Sequence, residues 1–321
     1  MSTLKTTNLQ HASAASPAIV LASDGSATAQ LSSLNGGALS GARNRIINGN
    51  FDFWQRGTSS TFSASGPYLA DRWAVGGGTS TTVSRQSFTP GQTDVPGEPT
   101  YFLRWDITNN SQNYEANQKI EDVRTFAGQQ ATLSFYARRT SGTVSFGARI
   151  VQDFGTGGSP SSLVVTSLGT PSLTTSWQKF TYTVSVPSIS GKTLGTDGNS
   201  SLWTSLQIGN TGTGVIELAQ VQLETGSVAT PFERRSYGQE LALCQRYYER
   251  TGIVLLTAVT GRYQTGYWKV SKRASPTLTL TPASGTSATV AVLSQDSTSG
   301  FFQNAPHSVD VNALVEGSIE L

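Results

Sequence analysis

Short runs of alternating apolar and polar residues, cut every few positions by Gly, Pro, Ser or Asn, fill the chain from about residue 44 to residue 235. Successive side chains of an extended strand point to opposite faces, so this period of two marks strands with one buried face. The run 131–137 puts Leu133 and Phe135 on one side, and 143–150 does the same with Val144, Phe146, Ala148 and Ile150. Phe180, Tyr182, Val184 and Val186 repeat the pattern, and 215–223 closes the set. Antiparallel sheets packed face to face satisfy it, and about 190 residues suffice for one jelly roll with long loops. The expected fold is all-β: a central β-sandwich (jelly roll), one short helix and a small C-terminal β domain. Within 45–57, Asn48-Gly49 reads as a turn between two strands, because both residue types tolerate positive φ.

The helix is expected over 237–250. Ser236 and Gln239 fit a capping box, in which hydroxyl and amide satisfy free backbone N–H groups. Leu241, Cys244 and Tyr248 recur at helical spacing, as do Leu243 and Tyr247, and Gly252 supplies a stop. Cys244 reads as a small buried hydrophobe rather than a reactive thiol. Four regions follow: an arm at 1–43, the sandwich at 44–235, the connecting helix at 236–252 and the terminal β domain at 253–321. The arm holds too little apolar surface for its own core. It is either a flexible tether or a segment that orders against copies of itself or a docking partner. The terminal domain, about 70 residues long, needs packing partners too, and both features argue for an oligomer.

Composition removes several function classes. Charged residues make up 13% of the 321, against about 25% in ordinary soluble domains, and Thr, Ser and Gly replace them. Aromatic residues at 9%, six Trp among them, exclude disorder. Net charge is +2 with no long basic run, so no nucleic-acid partner is expected. One cysteine and two histidines, His11 and His307, exclude an internal disulfide and a cysteine-rich zinc site, and leave little for a nucleophile–base pair. Glycoside hydrolysis needs a pair of carboxylates, and the twenty acids single out none. No enzyme is expected. No apolar run has signal or membrane-span length, so neither secretion by a leader nor membrane insertion is expected. A product of the host cytoplasm with an extracellular texture fits a virion component.

Several strings are familiar. Residues 44–51 (Asn-Arg-Ile-Ile-Asn-Gly-Asn-Phe), 54–57 (Trp-Gln-Arg-Gly) and 70–73 (Ala-Asp-Arg-Trp) resemble the opening of a domain of phage tail-fibre and head-fibre proteins. So do Ser176-Trp177 before a strand, the strand 216–223, and Pro231-Phe232-Glu233 leading into 240–248. The leader 1–11 and the string 273–277 (Arg-Ala-Ser-Pro-Thr) are similar to parts of fibre proteins from marine and cyanobacterial phages. The central region is also similar to carbohydrate-binding-module jelly rolls. The resemblance implies a homotrimeric virion fibre subunit. Residues 1–43 would attach it to other virion proteins, and the sandwich would attach it to a host-surface glycan. A capsid-decoration or tail-assembly protein without ligand is the alternative, and a polysaccharide depolymerase a more distant one.

Aromatic faces stack on sugar rings while amides and charged groups hold the hydroxyls. On that basis Trp105, Gln118, Tyr136, Arg138 and Trp203 are the candidate sugar contacts. Packing within a core or between subunits is the competing reading, favoured for each tryptophan and most strongly for Trp54, Trp73 and Trp177, which sit within strings that read as structural. The resemblance also implies a structural calcium ion, with Asp52 and Glu217 as carboxylate ligands; solvated or hydrogen-bonded acids are the competing reading. No other cofactor is expected.

Overall fold

A computed structural model describes residues 6–10, 12, 19–24, 27–29, 42–62, 68–76, 81–108, 114–208, 213–256, 263–282, 290–295, 297, 299–304 and 311–320. His11 and His307 lie outside these residues. In the arm, β1 (Asn8–Leu9), β2 (Ile19–Leu21) and β3 (Ala27–Ala29) pair antiparallel in sequence order. Leu9, Val20 and Leu21 stay exposed on this ribbon.

The centre is the all-β sandwich that the alternation predicts. Its strands are β4 (Ser59–Phe62), β5 (Ala74–Gly76), β6 (Thr81–Ser87), β7 (Tyr101–Ile107), β8 (Tyr114–Ile120), β9 (Gln130–Arg139), β10 (Val144–Ser145), β11 (Gly147–Asp153), β12 (Val164–Gly169), β13 (Ser172–Leu173), β14 (Gln178–Ser185), β15 (Ser201–Ile208) and β16 (Gly214–Thr225). A six-stranded sheet, β14-β9-β16-β7-β6-β4, faces a five-stranded one, β12-β11-β15-β8-β5. Leu103, Trp105, Leu133 and Phe135 from the first meet Ala116, Ile150, Leu202 and Leu206 from the second in one buried cluster. Strand β16 keeps the core sealed through a bulge. Its register shifts between Ala219 and Gln222, where Gln220 has a φ of 49°. The extra residue changes parity, so Ile216 and Leu218 before it and Val221 and Leu223 after it all reach the core.

Three expectations need correction. The run 143–150 is two strands: β10 pairs with β13, β11 pairs with β12 and β15, and buried Phe146 joins them. Residues 45–57 form no hairpin. Asn48 does adopt positive φ, at 56°, but its amide binds the Phe53 and Asp71 carbonyls at 2.9 and 3.1 Å and accepts from the Phe53 N–H at 3.0 Å. Side chains here take the role of a strand partner. The loop thereby delivers Ile46, Phe51 and Trp54 to the core. Gly49 is needed for close approach: its carbonyl accepts from the Val221 N–H at 2.9 Å, and a Cβ would sit 2.1 Å from the Val221 carbonyl oxygen.

The third correction concerns the helix. α1 spans Tyr237–Gln245, and Ser236 is its N-cap residue without a side-chain cap bond, so no capping box forms. Glu240 of the first turn instead accepts from the Asn48 N–H at 2.5 Å and pairs with Arg235 at 2.9 Å. The helix ends early because β17 (Tyr248–Leu256) begins there, drawn into a sheet by β22 (Val311–Ser318). Gly252 is no helix stop; it falls where the β17 register shifts between Arg250 and Ile253. Cys244 is fully buried, and desolvation pushes its thiol well above the usual range.

The remaining strands are β18 (Tyr263–Tyr267), β19 (Thr277–Pro282), β20 (Val290–Gln295) and β21 (Ser299–Asn304). They form the sheets β17-β22-β19 and β18-β21-β20. Arginines join them to the sandwich. Arg72, 1% exposed, pairs with Glu320 and stacks 3.4 Å from the centre of the Tyr247 ring. Arg56 pairs with Glu320 at 3.1 Å and lies 3.6 Å from the Tyr248 ring centre. Arg273, in the familiar string 273–277, donates to the Gly198 carbonyl at 2.9 Å. No helix among the described residues is long and apolar enough to cross a membrane.

Asp71 sits at this junction. Burial raises its carboxyl to about 6, against the lowering effect of the Gln55 donors at 2.6 and 3.0 Å and of Arg56. Between 3.8 and about 6 the folded chain holds a proton that the unfolded chain has released. This group's contribution is therefore fully present below that window and is lost as pH rises through it. A shift of this size corresponds to at most about 3 kcal/mol. Urea midpoints across the window should fall with rising pH in the native chain and flatten in Asp71→Asn.

Candidate glycan-binding face

The outer face of the five-stranded sheet follows from strand parity. Ala116, Gln118 and Ile120 of β8 point inward, so Glu115, Asn117 and Lys119 point out. In β15, Leu202, Thr204 and Leu206 point inward, so Trp203, Ser205 and Gln207 point out. Arg149 and Asp153 of β11 and Val165 and Ser167 of β12 complete the surface, while Val151, on the same side of β11, is only 2% exposed.

Antiparallel register arranges these residues in two rows. One row runs Val165, Val151, Trp203, Lys119 across four adjacent strands. At about 4.8 Å per strand it extends about 14 Å. Val165 is 55% exposed and Leu163 beside it 52%, whereas Val151 is 2% exposed, so the row opens as an apolar stripe whose accessible members are Val165 and Trp203, with Val151 buried between them. The Trp203 indole N–H donates to the Ser201 hydroxyl at 2.7 Å, which fixes the ring, and the Lys119 ammonium stands 4.3 Å from its centre. Burial lowers the Lys119 pKa, with Asp153 opposing and Arg273 and Arg72 reinforcing the shift. The second row runs Ser167, Arg149, Ser205, Asn117. Arg149 pairs with Glu115 at 2.8 Å and donates to the Ser205 hydroxyl at 3.1 Å, while Asn117 donates to Glu115 at 3.2 Å. An apolar stripe beside an ordered polar row suits a ring with one apolar face and hydroxyls at its edge.

Of the five candidate contacts, Trp203 alone lies on this face. Trp105 is 1% exposed, wedged in the core between Val83 and Ile216; it shares parity with Leu103 and Ile107 and cannot reach a ligand. Gln118 is buried too, its amide accepting from the Ile47 N–H and donating to the Ile47 carbonyl, both at 2.7 Å. It ties the 46–48 loop to β8 and is no sugar contact. Tyr136 and Arg138 lie on the opposite surface of the sandwich, the outer side of the six-stranded sheet. Tyr136 packs there with Val95, Phe102, Ala219 and Trp177. Arg138 donates to Glu217 at 2.5 Å and lies 5.0 Å from the Trp177 ring centre. Trp54 and Trp73 belong to the main core.

The calcium pair also needs correction. Glu217 is fully buried, one carboxylate oxygen accepting from Arg104 at 2.8 Å and the other from Arg138. Two guanidiniums already supply the positive charge a cation would bring. Asp52 lines a separate cleft of about 350 Å³, accepting from Asn50 at 3.0 Å, and burial raises its carboxyl. Among the described residues no three His, Cys, Asp or Glu side chains form a metal-binding group.

No protein-family model matches the sequence, and no curated protein does either. Solved structures with partial similarity to this chain include two kinds of protein. One is the enzymatically active domain of tailspike protein 4 from bacteriophage CBA120, at 14% identity and a TM-score of 0.38, covering 60% of this chain and 22% of that one. The other kind is carbohydrate-binding modules. The CBM22-1 xylan-binding domain of Paenibacillus barcinonensis Xyn10C has 15% identity and a TM-score of 0.35, covering 59% of this chain and all of that one. A CBM4 module has 19% identity and a TM-score of 0.33, covering 56% of this chain and 99% of its own.

Residues Glu115, Asn117, Lys119 and Arg149 of this face, and buried Val151 between its strands, are not among the candidates read from sequence. Parity within 115–120 is the signal that finds the first three; Arg149 and Val151 emerge only once β11 is paired with β15.

Proposed function

We propose that this protein is a non-enzymatic fibre subunit of a phage particle, whose central sandwich attaches to a host-surface glycan. The observation that carries the attachment is the apolar stripe of Val165 and Trp203, in one cross-strand row with buried Val151 between them, beside the Arg149–Asn117 row. The fibre assignment is supported by the strings at 44–57, 70–73 and 273–277, whose residues prove to be the core plug and the inter-domain clamps.

Geometry on this face supports binding over hydrolysis. The strands place two carboxylates there, Glu115 and Asp153. Glu115 pairs in register with Gln207, and Asp153 with Ser201, six residues away along β15. That separation is about 20 Å, whereas acid and partner in a glycosidase stand about 5–10 Å apart. Glu115 is moreover held by Arg149 and Asn117.

Glycan-array binding of the full chain tests the reading. Trp203→Ala should weaken the strongest hits about thirtyfold, the loss usual for an aromatic hot spot, and change stability by less than about 1 kcal/mol. Undiminished binding by this variant contradicts the assignment. Absence of any hit, in a chain that still incorporates into particles, favours a purely structural virion part. The arm's exposed Leu9, Val20 and Leu21 support assembly through residues 1–43. Light scattering should return the mass of a homotrimer, and the mass of a single chain speaks against it.

A further inference from the structure

The apolar stripe ends at Lys119, and Lys119 also lines a cleft of about 270 Å³ beside it. This cleft lies between residues 42–47, the end of β8 and α1. Its lining carries four cations, Arg45, Lys119, Arg235 and Arg246, against the carboxylate of Glu121. Two of the cations are committed. Arg235 pairs with Glu240 at 2.9 Å, and Arg246 with Glu121 at 3.0 Å. Glu121 is shared further with Arg273 at 3.5 Å, so its charge is already more than balanced. Arg45 is exposed, and its guanidinium forms no hydrogen bond or ion pair among the described residues. The Lys119 ammonium feels Arg72 and Arg273 as like charges and Asp153 as the opposing one. Positive charge therefore exceeds negative where the stripe runs out, in a partly desolvated recess where a charge-assisted hydrogen bond counts for more than in open water.

We infer that the glycan taken by this face is acidic, its carboxylate, sulfate or phosphate held at the Arg45–Lys119 end while a sugar ring stacks on Trp203. The inference rests on the sheet-face reading and adds the chemical class of the ligand. An anion there gains the free Arg45 guanidinium and relieves the crowding of like charges around Lys119. A neutral sugar gains neither.

The test is an array of neutral, carboxylated, sulfated and phosphorylated glycans, probed with the full chain, with Trp203→Ala, and with the double variant Arg45→Gln, Lys119→Gln. Arg45 is exposed and Lys119 half-buried, and thermal melts confirm that each chain is folded. Acidic glycans should be the hits. The double variant should lose about tenfold for them, the value of one charge-assisted hydrogen bond, and raised salt should mimic that loss. Hits on neutral glycans that Trp203→Ala abolishes and the double variant retains would overturn the inference and leave the sheet-face reading standing. Acidic hits whose affinity the double variant keeps would also overturn it. Hits indifferent to all three substitutions, or no hits, sink both.

Discussion

Trp105→Ala is expected to lower the stability of the sandwich by about 3–5 kcal/mol, the range for deleting a buried large aromatic. The indole is 1% exposed and fills the core between Val83 and Ile216 on the flanking strands. Its neighbours belong to two packed sheets, which cannot close on a void of that size without breaking ladder hydrogen bonds. Urea unfolding should show the full loss in the midpoint. Glycan affinity, corrected for the folded fraction, should stay at the native value. Trp203→Ala is the mirror image, with binding lost and stability kept. A Trp105→Ala chain of near-native stability would mean that the indole does not fill the core.

Glu249→Ala should destabilise the terminal β unit by about 3–5 kcal/mol. Glu249 and Lys272 are both fully buried and meet at 2.5 Å. The carboxylate also accepts the Lys269 N–H at 3.0 Å, and the ammonium donates to the Gln245 carbonyl at 2.5 Å. Removing the acid strands a charge whose pKa burial already depresses, and it leaves a backbone N–H without its acceptor. The net value of a buried ion pair is small, because desolvation offsets attraction; the cost lies in breaking one half. Glu249→Leu combined with Lys272→Met should therefore recover most of the loss. Trp268 lies 4.9 Å from the ammonium, so its fluorescence follows unfolding of this unit. A single variant within about 1 kcal/mol of native contradicts the burial of the pair.

The β class and much of the core are legible because a period of two persists wherever one face is buried, as in Leu133 and Phe135 against Phe180 and Tyr182. The same parity places Trp105 with Leu103 and Ile107, and Gln118 with Ala116 and Ile120. Choosing ligand contacts by residue type instead of parity put both on the wrong side of their strands. Other features depend on pairing order, which local pattern does not encode. Trp203 finds Lys119 and Val151 only because β15 lies between β8 and β11. Glu217 reads as a solvated acid until β7 and β9 bring Arg104 and Arg138 to either side. Asn48-Gly49 carries the signature of a hairpin, yet the amide of Asn48 satisfies the backbone that a partner strand would otherwise pair.

Of all the ring nitrogens in the chain, those of the six tryptophans report most directly on where a ligand sits. With the indole N–H resonances assigned by single substitution, titration of a bound glycan should shift the Trp203 signal and leave those of Trp54, Trp73, Trp105 and Trp177 in place. A saturating glycan that moves the Trp177 signal while Trp203 stays still puts the binding face on the six-stranded sheet and contradicts the account.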